Sequence, residues 1–532
     1  MVALFRGNCN APEQAPTGDA PVTVLKESDM ARPTTLGELR SSGYRARAVK
    51  DELRENLIAR LDRGEALFPG IIGYEKTVIP ALVNAILAKH DIILLGLRGQ
   101  AKTRIVRQLA GLLDEHIPVV AGSEINDDPF APVSKFAVDT VRTMGDEAPI
   151  EWLHRSRRYG EKLATPDVTI ADLIGDIDPI KAAAQRLHYA HEGVIHFGII
   201  PRTNRGIFAI NELPDLQPRI QVGLFNILEE KDIQIRGFNI RIPLDIMLVF
   251  TANPEDYTNR GNIITPLKDR IDSQILTHYP RTLEDAIRIT EQEAHLQRSG
   301  REVRIPRFFR EIVEQIAFEA RGSDFVDQKS GVSARMTISA MENLISNAER
   351  RAILVNDPVI IPRLCDLPHI LPGLTGKIEL VFEGEQEGPV KVSRALVGKA
   401  VRETFKRYFP DPLRKRPRRA QQQQPGKADP EDPEYGKVVR WFEAGNAIEV
   451  SDEMPVEAYA AELNKVAGLR EISRRHLAEA ETKYELPSVM EFVLEGLHQS
   501  SRIAKDEVDH RTSYKDLVGS ILSGAASPLE ED

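Results

Sequence analysis

Ile92-Ile-Leu-Leu-Gly-Leu-Arg-Gly-Gln-Ala-Lys-Thr103 decides how this chain folds. Four apolar residues of buried-strand type run into Gly96, and from there the stretch reads G-x-x-x-x-A-K-T. That is one residue from the phosphate-loop pattern G-x-x-x-x-G-K-[ST]. A strand that ends in a turn of small residues aims consecutive backbone N–H groups at an anion. The helix predicted over residues 104–113 adds the positive end of its dipole. In such a loop Lys102 reaches the β- and γ-phosphates of a nucleotide and Thr103 holds Mg²⁺. Ala101 stands where glycine is usual, and the smallest side chain with a Cβ fits there if its φ is negative. Taken alone, the run is equally an ordinary buried strand, a glycine turn and an amphipathic helix carrying a chance Lys-Thr.

Two further apolar runs decide between these readings. Arg205-Gly-Ile-Phe-Ala-Ile-Asn-Glu212 is a strand with a polar end. A phosphate-loop hydrolase places an acid for Mg²⁺ there, beside a Glu that polarises the attacking water. Here the pair reads Asn211-Glu212, so the base survives and the metal-side carboxylate is an amide. An Asn oxygen accepts a hydrogen bond from metal-bound water but brings no charge. Ile246-Met-Leu-Val-Phe-Thr-Ala-Asn253 is a third strand, ending in Asn253 before Pro254. Three buried-type strands separated by helical segments predict an α/β fold with a parallel sheet, its polar residues gathered at the carboxyl edge where such folds bind ligands.

The chain resembles the AAA+ ATPases of the group that holds the MoxR proteins and the I subunit of magnesium chelatase, over roughly residues 65–350. Phe68-Pro-Gly-Ile-Ile-Gly-Tyr-Glu75 is similar to the box that opens these modules and whose backbone contacts adenine, which implies Ile71, Ile72 and Gly73 as nucleotide contacts. The Gly-Gln-Ala-Lys-Thr loop is similar to that of MoxR proteins, and implies ATP bound by Gly96, Gly99, Gln100, Ala101, Lys102, Thr103 and Arg104. Mg²⁺ would then fall to Thr103 and Asn211. Asn253 matches the first sensor, Arg270 stands where the family places an arginine finger, and Arg335 falls at the second sensor. With Glu212 these three are the implied catalytic residues. The run 167–179 is similar to an insert within the second helix of the module. Residues 229–243 alternate polar and apolar around a glycine, which predicts a β-hairpin of the kind this group carries before its sensor strand.

The resemblance implies a P-loop core followed by a helical lid, assembled as a homo-hexameric ring in which Arg270 acts on a neighbour's nucleotide. An arginine finger contributes roughly 10³ to 10⁵ in rate. It further implies a separate partner with a von Willebrand factor A domain, because no D-x-S-x-S motif is present here, and work on a client or help with metal or cofactor insertion. Two other readings remain. One is the ATPase subunit of a magnesium chelatase, although the N-terminal helix, long lid and C-terminal segment exceed a minimal chain of that kind. The other is a nucleotide-gated scaffold with weak hydrolysis, which Asn211 favours.

Composition is that of an ordinary globular protein: 532 residues, 42% apolar and 28% charged. The net charge of −10 weighs against general affinity for nucleic acid. Cys9 and Cys365 stand far apart without ligand spacing, so neither a disulfide framework nor a zinc site is expected. Met1–Phe5 is too short an apolar run for a signal segment, no run reaches membrane-spanning length, and the cytoplasm is the expected location. Composition marks a mobile tail (1–35) and a linker (410–435); with helical periodicity, the resemblance implies the nucleotide-binding core with an N-terminal helix (36–280) and the helical lid (281–409), and periodicity predicts a small helical C-terminal domain (436–532). The linker holds Leu413-Arg-Lys-Arg-Pro-Arg-Arg419, four glutamines and an acidic Pro-rich stretch.

Overall fold

Ile92–Leu95 (β1) has no polar face to turn toward water, and all four residues are buried. In the computed structural model, which describes residues 32–185, 192–235, 241–253, 262–298, 300–413, 434–477, 482–508 and 511–517, this strand is second in a five-stranded sheet. Its other strands are Tyr159–Leu163 (β2), Gly206–Asn211 (β3), Ile246–Ala252 (β4) and Ser273–Leu276 (β5). Every pairing is parallel and the order is β5-β1-β4-β3-β2. The register pairs Leu95 with Ala252, Phe250 with Ile210, and Leu163 with Asn211. The ends of β1, β3 and β4 therefore lie along one edge.

Side chains alternate across this sheet, and both faces are covered. Ile92, Leu94, Ile207, Ala209, Met247 and Val249 pack beneath the helices Val49–Asp62, Val78–Leu87 and Lys102–Leu109 (α1). Ile93, Leu95, Phe208, Ile210, Leu248 and Phe250 face the opposite layer. On the first of these helices Leu53 and Leu57 are buried and Leu61 is exposed. The expected helix after the loop starts at Lys102 and gives way at Ala110 to a 3₁₀ turn.

Ala101 corrects one expectation. Its φ is +57°, not negative, so it takes the left-handed turn that the pattern's usual glycine provides. The Cβ in that conformation costs about 1 kcal/mol. The expected hairpin forms between Asp232–Gln234 and Arg241–Pro243, and its turn at 236–240 lies outside the described residues. The run 167–179 folds as a short helix, Ile170–Leu173, and a strand, Gly175–Ile177, paired antiparallel with Ile195–Phe197.

Beyond the sheet come the helices Leu283–Glu293 (α2), Arg307–Arg321 (α3), Ala334–Leu354 (α4) and Pro389–Tyr408 (α5). Residues 414–433, most of the expected linker, and residues 1–31 of the expected tail lie outside the described residues. Thr35 caps the helix Leu36–Ser41 with a reciprocal bond to Glu38. The chain resumes with Gly436–Glu443 (α6), Val456–Leu463 (α7), Leu469–His476 (α8) and Glu485–Gln499 (α9). One apolar core runs from Phe308 in α3 through Phe405 in α5 to Phe492 in α9. The Phe308 and Phe492 rings stack at 4.5 Å. Beside the expected helices, the C-terminal part holds a three-stranded antiparallel sheet, Ile448–Ser451, Arg511–Lys515 and Ala504–Val508, which was not foreseen. Charged runs such as Lys505-Asp506-Glu507 hide these strands from a reading of apolar periodicity. Among the described residues no helix is long and apolar enough to cross a membrane.

Candidate functional site

The loop between β1 and α1 is pinned on both sides. A Cβ at Gly96 would overlap the Thr277 hydroxyl at the end of β5, and one at Gly99, where φ is +73°, would overlap the Ser333 hydroxyl at the start of α4. Thr277 donates to Gln100 Oε1 at 2.6 Å, and the Tyr74 hydroxyl donates to the Gln100 carbonyl at 3.1 Å. The chain thus closes around Lys102, which is buried. Its Nζ donates to the carbonyls of Gly96 and Leu97 and, at 2.7 Å, to Asn253 Oδ1. Asn253 Nδ2 in turn donates to Glu212 Oε2 at 2.7 Å. Lys102, Asn253 and Glu212, which arrive from α1, β4 and β3, therefore form one hydrogen-bonded series. Glu212 has φ +55°, a strained conformation for a residue with a side chain, and its N–H donates to Thr251 Oγ1 at 3.2 Å.

A cleft of about 1070 Å³ opens in front of this series. Gly99, Gln100, Ala101, Lys102, Thr103 and Arg104 form its floor, and Ile71 with Ile72 one wall. Glu212 and Asn253 stand at the sheet edge, and Arg335 and Ile338 of α4 face them. Arg104 pairs with Glu293 of α2 across the mouth. Arg335 makes no side-chain hydrogen bond or ion pair among the described residues. Gly73 and Gly96, expected as nucleotide contacts, are not among the residues that line the cleft; the Gly73 N–H donates to Glu75 Oε1 at 3.2 Å.

Two further expected site residues lie elsewhere. Arg270 is off the cleft: its Nε donates to Glu229 Oε2 at 2.8 Å and its guanidinium lies 4.7 Å from the Phe225 ring centre. Asn211 is buried in the sheet edge, not on the cleft wall. Its oxygen, expected to face a metal-bound water, accepts from Thr251 Oγ1 at 3.1 Å, and its Nδ2 donates to Glu161 Oε1 at 2.7 Å.

Glu161 on β2 escaped the sequence reading, because Tyr159-Gly-Glu-Lys-Leu163 is a half-exposed edge strand without a motif. Arg107, one turn beyond Thr103 on α1, donates to it twice, at 2.8 and 3.0 Å. That grip holds the Glu161 carboxyl below the usual carboxylate range. Residues that tie the loop to the lid were also missed. Arg98 pairs with Glu379, which accepts from the Ser330 hydroxyl, and Tyr279 donates to the Arg98 carbonyl at 2.9 Å.

The cleft has the size of a small-molecule or cofactor site, and its floor offers backbone donors and a buried ammonium suited to phosphate oxygens. Among the described residues no group of three His, Cys, Asp or Glu side chains stands ready for a metal. Mg²⁺ bound mainly through a nucleotide's phosphates needs only one or two protein ligands, and Thr103, on the cleft floor, would offer one.

No protein-family model matches the chain, and no curated protein matches it in sequence. Solved structures do match. NtrX from Brucella abortus is 13% identical over 57% of this chain and 57% of its own, with a TM-score of 0.32. The complex between subunits BchI and BchD of magnesium chelatase is 19% identical over 64% of this chain and 95% of that one, at 0.32. The closed state of Hsp104 is 13% identical over 63% and 52%, at 0.36. The chain spans little more than half the length of the NtrX and Hsp104 chains, and none of the three superposes closely.

Proposed function

We propose that this chain binds and hydrolyses ATP as an AAA+ ring protein and uses the turnover to remodel a client or assist insertion of a metal or cofactor. The observation that carries the reading is the series Lys102–Asn253–Glu212 at the mouth of the 96–103 loop. Loop N–H groups and Lys102 bind the phosphates, with Lys102 exchanging Asn253 Oδ1 for phosphate oxygens. Released from Lys102, Asn253 helps Glu212 orient the lytic water, and Glu212 takes its proton. Mg²⁺, when bound, neutralises charge that develops on the phosphates. Arg335 closes on the γ-phosphate from α4. Arg270, off its own cleft, serves a neighbouring subunit, which makes turnover depend on assembly into a hexamer. A separate von Willebrand factor A domain protein is the proposed partner.

A second reading, a nucleotide-gated scaffold with weak hydrolysis, is favoured by the buried, uncharged Asn211. Steady-state ATP hydrolysis across a protein concentration series separates the two. Specific activity that climbs with assembly and vanishes in Arg270→Ala, with ATP binding kept, is the expected result. Tight binding with negligible turnover at every concentration would favour the scaffold.

A further inference from the structure

Arg321 ends α3, and among the described residues it forms no ion pair. Its side chain takes two other partners. The guanidinium lies 4.2 Å from the centre of the Tyr279 ring, a face whose quadrupole attracts a cation. Its Nε and Nη2 both donate to the Val332 carbonyl, at 3.3 and 3.0 Å. Each partner leads to one side of the nucleotide cleft. Tyr279, three residues beyond β5, donates its hydroxyl to the Arg98 carbonyl of the phosphate loop at 2.9 Å. Val332 precedes Ser333, the cap of α4, which accepts from the Arg335 N–H at 3.2 Å. Gly331, at φ +69°, leaves no room for a side chain here: a Cβ would stand 2.5 Å from the Tyr279 hydroxyl and 2.8 Å from the Leu97 side chain. Loop, ring, guanidinium and helix start therefore form one packed row, and Arg335 at its far end lines the cleft.

Resting on the nucleotide reading above, we propose that Arg321 is a positioning residue: stacked on Tyr279, it sets the start of α4 against the phosphate loop so that Arg335 meets the γ-phosphate. Arg321 does not line the cleft itself, so it acts through Arg335. The consequence is selective. The loop grips phosphates that ATP and ADP share, whereas only ATP carries the one that Arg335 meets.

The test is calorimetric titration of the full chain with ADP and with the β,γ-imido analogue of ATP, which is not hydrolysed. Arg335→Ala is expected to weaken the ATP analogue about 10–100-fold, as the loss of a hydrogen bond to a charged group does. Arg321→Met should weaken it about 5–30-fold and leave ADP unchanged. In the double variant the loss should equal that of Arg335→Ala alone, because Arg321 has no other route to the phosphate. Arg321→Lys, which keeps a cation over the ring, is expected to retain most of the preference for the ATP analogue. Tyr279→Phe keeps the ring but loses its bond to the loop; it should show the same selective loss, and serves if Arg321→Met folds poorly. An equal loss of ADP and the ATP analogue would make Arg321 a structural brace only, and losses that multiply in the double variant would deny that it acts through Arg335. Either result overturns the proposal. A wild-type chain that binds neither nucleotide would overturn the nucleotide reading itself, and this proposal with it.

Discussion

Lys102 is held by three oxygen acceptors, two loop carbonyls and Asn253 Oδ1, so phosphate must replace a satisfied set of hydrogen bonds. The series gives Glu212 a role of its own, since its carboxylate accepts from Asn253 at the end of β4. Glu212→Gln should keep ATP affinity and lower turnover about 10²–10⁴-fold, the usual range for a positioned base. Single-turnover kinetics check it, and an unchanged rate would remove Glu212 from the chemistry. Lys102, Glu212 and Asn253 were legible in the sequence because each ends or follows a recognisable apolar strand. Glu161 was not, since its partners Arg107 and Asn211 lie about fifty residues away in either direction. Such a meeting exists only once parallel strands are in register. Ala101 misled for a local reason: its identity is compatible with either sign of φ, and the turn required the positive one.

Among elements, the strands the sequence announced are those buried on both faces, β1, β3 and β4. The edge strands β2 and β5 are partly exposed and mixed in polarity, so no periodicity marked them. The three-stranded C-terminal sheet was lost for the same reason. The contact between the phosphate loop and α4 depends on an element boundary, the Ser333 cap, which accepts from the Arg335 N–H at 3.2 Å. Gly99 touches that cap and has φ +73°. Gly99→Ala is therefore expected to cost about 1–3 kcal/mol of stability by overpacking and to weaken ATP binding, because the loop and the lid helix must part. Thermal unfolding and nucleotide titration check both effects. Unchanged values in both would mean that the loop does not bear on α4.

At the scale of the whole molecule, one core joins the lid helices to the C-terminal segment, with buried acids inside it. Glu491 of α9 accepts from the Tyr459 hydroxyl and, at 2.7 Å, from the Leu364 N–H. Burial pushes its carboxyl up to about 7, against the opposing pull of these bonds and of Lys505, while Asp366 adds to the rise. Glu314, under α2 and α4, is also raised by burial to about 7. A carboxyl whose folded value lies above its unfolded one binds its proton more tightly when folded. Its contribution is fully present below the unfolded value, near pH 4.5, and is lost as pH rises through about 7. Glu491→Gln should therefore show a shallower fall in Tm between about pH 5 and 8 than the wild type. Parallel pH profiles for the two proteins would deny that Glu491 carries this linkage.

On the proposed function, the 96–103 loop holds a nucleotide through Lys102. Equilibrium binding of ATP by titration calorimetry, on wild type and Lys102→Ala, tests it most directly. One ATP per chain in the wild type, with binding lost in a variant that unfolds at the same temperature, is the predicted result. Equal binding by both proteins, or none by the wild type, would contradict it.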